Sequence, residues 1–268
     1  MRHLPAAPSA TLALLCAAWL SQTACSTPLA PLPAAEKTPA TGVWQTLFDG
    51  TGTHAWRGHG QAGMPEKGWK IEGDSLHILP DAGCGDLITR AQYGDFVLEL
   101  EYKTAPGVNG GVLYRAQEVR GQEIWQSAFE CQLLDPAWRD DRPEHLGEKM
   151  GMLHHAGSLY GLYPTKEAAL RPAGQWNKLS IAVTGGNHVE HWLNGIRVVS
   201  CDLDSTDFAA RFQKSKFSEP KEFPNFGKSH FGYIGLQDHG DSDIWFRNIR
   251  VMPLDQPSLM DTLMPGMP

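Results

Sequence analysis

Glu130 and Gln132 stand two apart in the stretch Phe129-Glu130-Cys131-Gln132-Leu133-Leu134-Asp135. Side chains alternate between faces along an extended strand. As a strand, this stretch puts Phe129, Cys131 and Leu133 on one face and a carboxylate beside an amide on the other. In a sheet whose second face forms a cleft, such a pair can bind a sugar and move a proton. On the solvated side of an antiparallel sheet the same pair would only face water. Other chemistries find no support in the spacing: there is no Gly-rich phosphate loop, nucleophile elbow, CxxC pair, His-rich zinc spacing or internal repeat.

The elements that must position this pair read as short strands and turns. Phe96, Leu98, Leu100 and Tyr102 alternate with Val97, Glu99 and Glu101, a period of two that predicts a half-buried strand. A short strand and turn start near Val43, and residues 69–79 predict a hairpin turning on Gly73-Asp74. Asn109-Gly110-Gly111 is a tight turn before a strand over 112–115, in which Leu113 and Arg115 share a face. Residues 176–184 and 188–193 pair, and Asn194-Gly195 turns the chain into 196–200. Residues 157–164 read as a short strand and turn, and 232–237 and 244–251 as closing strands. A helical turn fits 208–212. Residues 136–155 form a long polar insertion carrying Asp140, Asp141, Glu144, His145, His154 and His155, the kind of loop that is functional or disordered. Short strands with 28 Gly and 19 Pro and almost no helix predict an all-β fold, a sandwich or jelly roll of two antiparallel sheets.

A chain of 268 residues can bury a sizeable core. Its net charge of -7, without a Lys/Arg cluster, argues against nucleic acid as a partner. Residues 1–25 read as an export signal: Arg2 and His3, an apolar run over 11–20, then Thr23 and Ala24 before Cys25. That run is too short to span a bilayer as a stable helix. Thr23-Ala24-Cys25 resembles the end of a bacterial lipobox, with Gln22 where Leu is usual, so Cys25 is the expected lipidation site and ordinary secretion the alternative. The membrane is then reached only through the lipid anchor, and the protein works in the cell envelope. Residues 26–42, rich in Pro and Ala, read as a tether, 43–253 as the domain, and 254–268 as a tail without core pattern. Cys84, Cys131 and Cys201 remain in the mature chain and allow one disulfide at most.

Several stretches occur together in one order: Asn-Gly-Gly-Val-Leu-Tyr-Arg at 109–115, Phe-Glu-Cys-Gln-Leu-Leu-Asp at 129–135, Gly-Ser-Leu-Tyr-Gly at 157–161, Trp-Asn-Lys-Leu at 176–179, Leu-Asn-Gly at 193–195, and Gly-Tyr-Ile-Gly-Leu-Gln-Asp-His-Gly with Phe-Arg-Asn-Ile-Arg-Val within 232–251. In this order they resemble the 3-keto-disaccharide hydrolase family, domain of unknown function 1080, over about 44–251. The family pattern has Asn-Ser-Gly at 109–111 and Gly-Tyr-Glu-Val-Gln at 128–132, so the Glu and Gln match while their neighbours differ. The resemblance implies a concanavalin-like jelly roll that cleaves glycosides oxidised to a ketone at C3, downstream of a sugar C3 oxidoreductase.

Such a route needs a base, an acid and a stabiliser for the enolate oxygen. Glu130 is the first candidate for proton transfer. His239, in Leu-Gln-Asp-His-Gly, is the second, because imidazole titrates near neutral pH; a turn-capping histidine is the alternative. Gln132 and Gln237 would bind sugar hydroxyls, with Asn109 beside them, and Arg115 would polarise the ketone or form a structural ion pair. Asp135 and Asp238, with Glu130 or His239, would hold a divalent cation or only cap turns. Tyr160, Trp138 and Tyr163 would stack on sugar rings if exposed. Two readings compete with the enzyme: a non-catalytic carbohydrate-binding module on the same fold, and a conventional glycanase. The glycanase needs a second acid on the Glu130 face, where residue 132 offers an amide.

Overall fold

Alternation of apolar and polar residues over Phe96–Thr104 produces the strand on which the larger sheet is built; its side chains are alternately buried and half-exposed along its whole length. The structure is a computed structural model, and it describes residues 36–38, 41–138, 151–165, 169–240 and 243–254. The elements in chain order are β1 (Glu36–Lys37), β2 (Gln45–Phe48), β3 (Trp56–Gly58), β4 (Trp69–Glu72), β5 (Ser75–Ile78), β6 (Leu87–Thr89), β7 (Ala91–Gln92) and β8 (Phe96–Thr104). They continue with β9 (Gly111–Ala116), β10 (Phe129–Gln132), β11 (Asn177–Thr184), β12 (His188–Leu193), β13 (Ile196–Asp202), α1 (Thr206–Lys214), β14 (Tyr233–Leu236) and β15 (Ile244–Pro253).

The larger sheet runs β13-β12-β11-β8-β15-β5-β4, and the smaller β10-β9-β14-β6-β3. All pairings within these two sheets are antiparallel. β15 is long enough to pair with β5 through Ile244–Phe246 and then with β2 through Ile249–Val251. The change of partner falls where Asn248 takes a positive φ of 51° and the register against β8 shifts. The Asn194-Gly195 turn has φ of 51° and 84°, the paired positive values that a tight two-residue hairpin requires.

The sheets close on one core, as the all-β two-sheet expectation requires. Phe96 and Tyr114 meet edge to face at 6.3 Å, and the Tyr114 hydroxyl donates to His191 Nε2 at 3.1 Å. His191 Nδ1 donates in turn to the Gly157 carbonyl at 3.0 Å, and burial pushes this imidazole down to about 4, so it stays neutral. Residues 205–230 pack a second aromatic group over the smaller sheet: Phe129 meets Phe226 at 5.1 Å and Phe208 at 6.2 Å, and Phe217 stacks on Phe226 at 4.0 Å. The helix expected over 208–212 is α1, capped by Ser205, whose hydroxyl accepts from the Phe208 amide at 3.1 Å.

Two sequence expectations change. Part of the tether is structured: Glu36–Lys37 pairs in parallel with Ala91–Gln92, and the Thr38 amide donates to the Gln92 carbonyl at 2.9 Å. Residues 157–164 form a turn with single bridges at Leu159 rather than a strand. Cys84, Cys131 and Cys201 are buried free thiols, so no disulfide forms among them. The export signal, the lipidation site Cys25 and the insertion residues Asp140, Asp141, Glu144 and His145 lie outside the described residues.

Candidate active site

The outer face of the smaller sheet carries two rows of side chains that run across all its strands. In the first, Glu130 pairs with Leu113, Leu113 with Gly235, Gly235 with Ile88, and Ile88 with Arg57. In the second, Gln132 pairs with Gly111, the Gln237 amide donates to the Gly111 carbonyl at 3.0 Å, and the His59 amide donates to the Asp86 carbonyl at 2.9 Å. Alternation puts Gln237 on the face of Gly235, Asp86 on that of Ile88 and His59 on that of Arg57. At one end this face is covered by a small apolar cluster of Ile88, Leu113, Ala116, Ile124, Ala128 and Tyr233. At the other it opens into a recess of about 360 Å³ walled by His59, Asp86, Glu123, Trp125, Gln237 and His239.

Glu130 lies on the same face, beside Gly111 and outside the wall of this recess. It is half-buried, and burial pushes its carboxyl up to about 7; positive charge on Lys216 and His239 opposes the shift and the Asp86 carboxylate adds to it. Its carboxylate lies over Gly111, in the space that any β-carbon at 111 would occupy. A glycine is needed there because the catalytic candidate itself fills the place of the side chain. The backbone of β10, an edge strand, is held by the segment beyond it: Tyr160 N–H donates to the Glu130 carbonyl at 3.0 Å, and Gln132 N–H to Ser158 O at 3.2 Å. The Tyr160 ring carries Lys216 over it at 4.7 Å, and its hydroxyl accepts from Lys216 at 3.4 Å. Lys216, brought in by the 205–230 segment, is the cation whose field reaches Glu130 most strongly.

Gln132 is fully buried and its side-chain amide donates to Asn109 Oδ1 at 2.8 Å, while its side-chain Oε1 has no protein partner. Gln237 Oε1 is a second buried acceptor without a partner, in the wall of the recess. Buried polar atoms are ordinarily paired, so two unmet acceptors on one face suit a hydroxyl-rich ligand. His239 lines the same recess and is met edge-on by the buried Trp138 ring at 6.1 Å. Trp138 therefore packs against His239 and offers no open platform. Tyr163 likewise lies under Arg211, at 4.5 Å.

Arg115 is a correction. Sequence alternation puts it beside Leu113 on the Glu130 face, but β9 carries an extra residue against β14: Tyr233 pairs with Ala116 and Gly235 with Leu113. Arg115 sits in this bulge at φ 52° and turns inward. There it donates to Asn187 Oδ1 at 3.0 Å and to the Gly186 carbonyl, and lies 3.9 Å from Asp95. It ties the two sheets together and does not reach the recess. Asp135 and Asp238 take the turn-capping alternative. Asp135 Oδ1 accepts from the Gly107 and Ala137 amides at 3.0 and 2.8 Å. Asp238 accepts from the Cys84 and Gly85 amides at 3.1 and 3.0 Å and from the Gly240 amide at 2.9 Å. Among the described residues no group of three or more His, Cys, Asp or Glu side chains has metal-holding geometry.

Asp86, Glu123, His59 and Lys216 escape the sequence reading. Asp86 is buried at 7% exposure, its carboxylate accepts from the Asp238 amide at 2.7 Å, and burial pushes it up to about 7, with the neighbouring Asp238 and Glu123 charges adding to the shift. Its only local signal is the shared parity of 86 and 88; the pairing that brings it to Gln237 is long-range. His59 is pushed down by burial. Its loop is held by Glu118, which forms two 2.8 Å bonds with Arg57 and accepts from the Gly60 amide at 2.6 Å.

Comparison with known proteins shows what the whole sandwich is similar to. Residues 43–252 match a family described as the 3-keto-alpha-glucoside-1,2-lyase-like domain. The chain is 37% identical over 235 residues to a 3-keto-disaccharide hydrolase of Bacteroides thetaiotaomicron, covering 78% of each protein. A Parabacteroides distasonis structure described as a "putative glycosyl hydrolase" superposes with a TM-score of 0.70 at 28% identity, over 79% of this chain and 94% of that one. A second of the same organism and description gives 0.59 at 25% identity, over 79% and 100%. With a family match across the whole sandwich and a curated relative at this identity, the chain belongs to the 3-keto-disaccharide hydrolase family.

Proposed function

We propose that this protein cleaves the glycosidic bond of 3-keto-glycosides, 3-keto-disaccharides among them, by C2 deprotonation, β-elimination and hydration. The observation that carries this reading is Glu130: a carboxyl pushed up to about 7 on the sheet face that opens into a polar recess, in a chain of this family. A ketone at C3 acidifies the C2 hydrogen, and a general base works best when its own pKa lies near the operating pH. Glu130 takes the C2 proton, and the electron pair moves onto the C3 oxygen. His239 and Lys216, whose charges reach Glu130, stabilise that enolate oxygen. Gln237 and Gln132 bind the sugar hydroxyls through their unmet oxygens. The enolate then collapses, C1 and C2 become doubly bonded, and the C1–O bond breaks. Addition of water across that bond, hydroxyl to C1 and proton to C2, completes a hydrolysis without a glycosyl-enzyme intermediate. The names of the relatives fit one route, since a 1,2-lyase stops at the elimination and a hydrolase continues to hydration.

The same proposal makes the protein an exported lipoprotein anchored at Cys25, acting after an oxidoreductase that installs the C3 ketone. The test incubates the purified protein with a 3-keto-glucoside and with its unoxidised parent, beside Glu130→Gln. Release of the aglycone from the keto sugar alone, lost in the variant, is expected. Binding of the unoxidised glycan with no release from either would make it a carbohydrate-binding module. Cleavage of the parent would make it a conventional glycosidase.

A further inference from the structure

We propose that Asp86 is the acid that protonates the departing glycosidic oxygen, opposite Glu130 across the sugar. The inference rests on the reading of Glu130 as the base and adds the donor that reading lacks. Geometry carries it. The Glu130 carboxylate lies over Gly111 on β9, and Asp86 stands two strands away along the same row, with Gln237 of the intervening strand between them. Two strand spacings are roughly 10 Å. Carboxyl groups held that far apart on one face leave room for a pyranose ring between them, as in glycosidases where water must also fit. The unmet Gln237 oxygen lies beneath that ring.

Asp86 is also built to hold a proton. It is buried, it is fixed by the Asp238 amide at 2.7 Å, and its carboxyl lines the recess. Burial and the neighbouring Asp238 and Glu123 charges keep it protonated up to about 7, while the hydrogen bond from the Asp238 amide and the charge on His239 work against them. Of the other two carboxylates of the recess, Asp238 accepts from three backbone amides and Glu123 is exposed to water and caps its own short helical turn. The step balances. Glu130 gains the C2 proton to form the enolate; when that collapses, the C1–O electrons leave with the glycosidic oxygen, and that oxygen takes the proton of Asp86. In hydration the Asp86 carboxylate takes one proton of water as the hydroxyl adds to C1, and Glu130 returns to C2 the proton it took there.

An acid of this kind matters in proportion to how poor the leaving group is, which a structural residue does not. The experiment compares kcat of wild type, Asp86→Asn and His239→Gln on methyl 3-keto-glucoside and on 4-nitrophenyl 3-keto-glucoside. Asn at 86 keeps an oxygen for the Asp238 amide. The expected loss in Asp86→Asn is roughly 100-fold or more on the methyl glycoside and less than about 10-fold on the nitrophenyl one. The ratio of the two losses does not depend on how much of the variant is folded. Equal losses on both substrates would overturn the proposal, as would a leaving-group-dependent loss in His239→Gln alone. A wild type that cleaves neither keto sugar would instead remove the base reading, and this inference with it.

Discussion

At the scale of single residues, the carboxyls of Glu130 and Asp86 are raised by burial to about 7 each. The active form has Glu130 ionised and Asp86 protonated. We therefore expect a bell-shaped kcat/KM centred near pH 7, with an acid limb from Glu130 and an alkaline limb that disappears in Asp86→Asn on the nitrophenyl substrate. The same shifts act on stability. A carboxyl whose folded pKa is raised gives stability that is fully present below its unfolded value, near 4.5 for Glu130, and is lost as pH rises through about 7. Glu130→Gln removes that loss. It should be inactive yet more stable than wild type at pH 8, by on the order of 1–3 kcal/mol in urea unfolding, and no more stable at pH 4. Arg115 predicts the opposite pattern. Arg115→Ala leaves Asp95 and two carbonyl acceptors without their buried partner, and should cost about 2–4 kcal/mol while kcat of the folded fraction is kept.

At the scale of elements, β9 and the 205–230 segment set the site more than β10 alone does. Gly111 has ordinary strand geometry, so alanine there keeps the backbone but displaces the Glu130 carboxylate that fills its place. Gly111→Ala is expected to lower kcat roughly 10- to 100-fold with little change in circular dichroism or melting temperature. The 205–230 segment delivers Lys216, and Lys216→Met removes the strongest charge holding the Glu130 pKa down. The acid limb of the pH–rate profile should then move to higher pH; an unmoved limb would separate Lys216 from the base. How this was legible differs by residue. The face shared by Glu130 and Gln132 follows from period-two alternation. The position of Arg115 does not, because a bulge inserts one residue and reverses the parity beyond it.

At the scale of the whole molecule, the sandwich places its catalytic candidates on the outer face of the smaller sheet, and the larger sheet completes the core beneath. The proposed anchor predicts that wild-type protein, expressed with its leader, partitions with membranes and incorporates labelled palmitate, and that Cys25→Ala does neither. By itself, the sequence determined what local periodicity and turn chemistry control: the all-β class, the strand over 96–102, the hairpin at Asn194-Gly195, and the polar face of β10. Motifs in order added the family. Tertiary structure alone decided which strands lie side by side. Asp86 and Glu130 are 44 positions apart and come to one face only because β6 and β10 flank β14 and β9 in one sheet. No local pattern encodes that, since strand order follows from how two apolar faces close on one core. Segments packed on that outer face bury the two carboxyls and so raise them; the shift belongs to the packed molecule, not to the residue types.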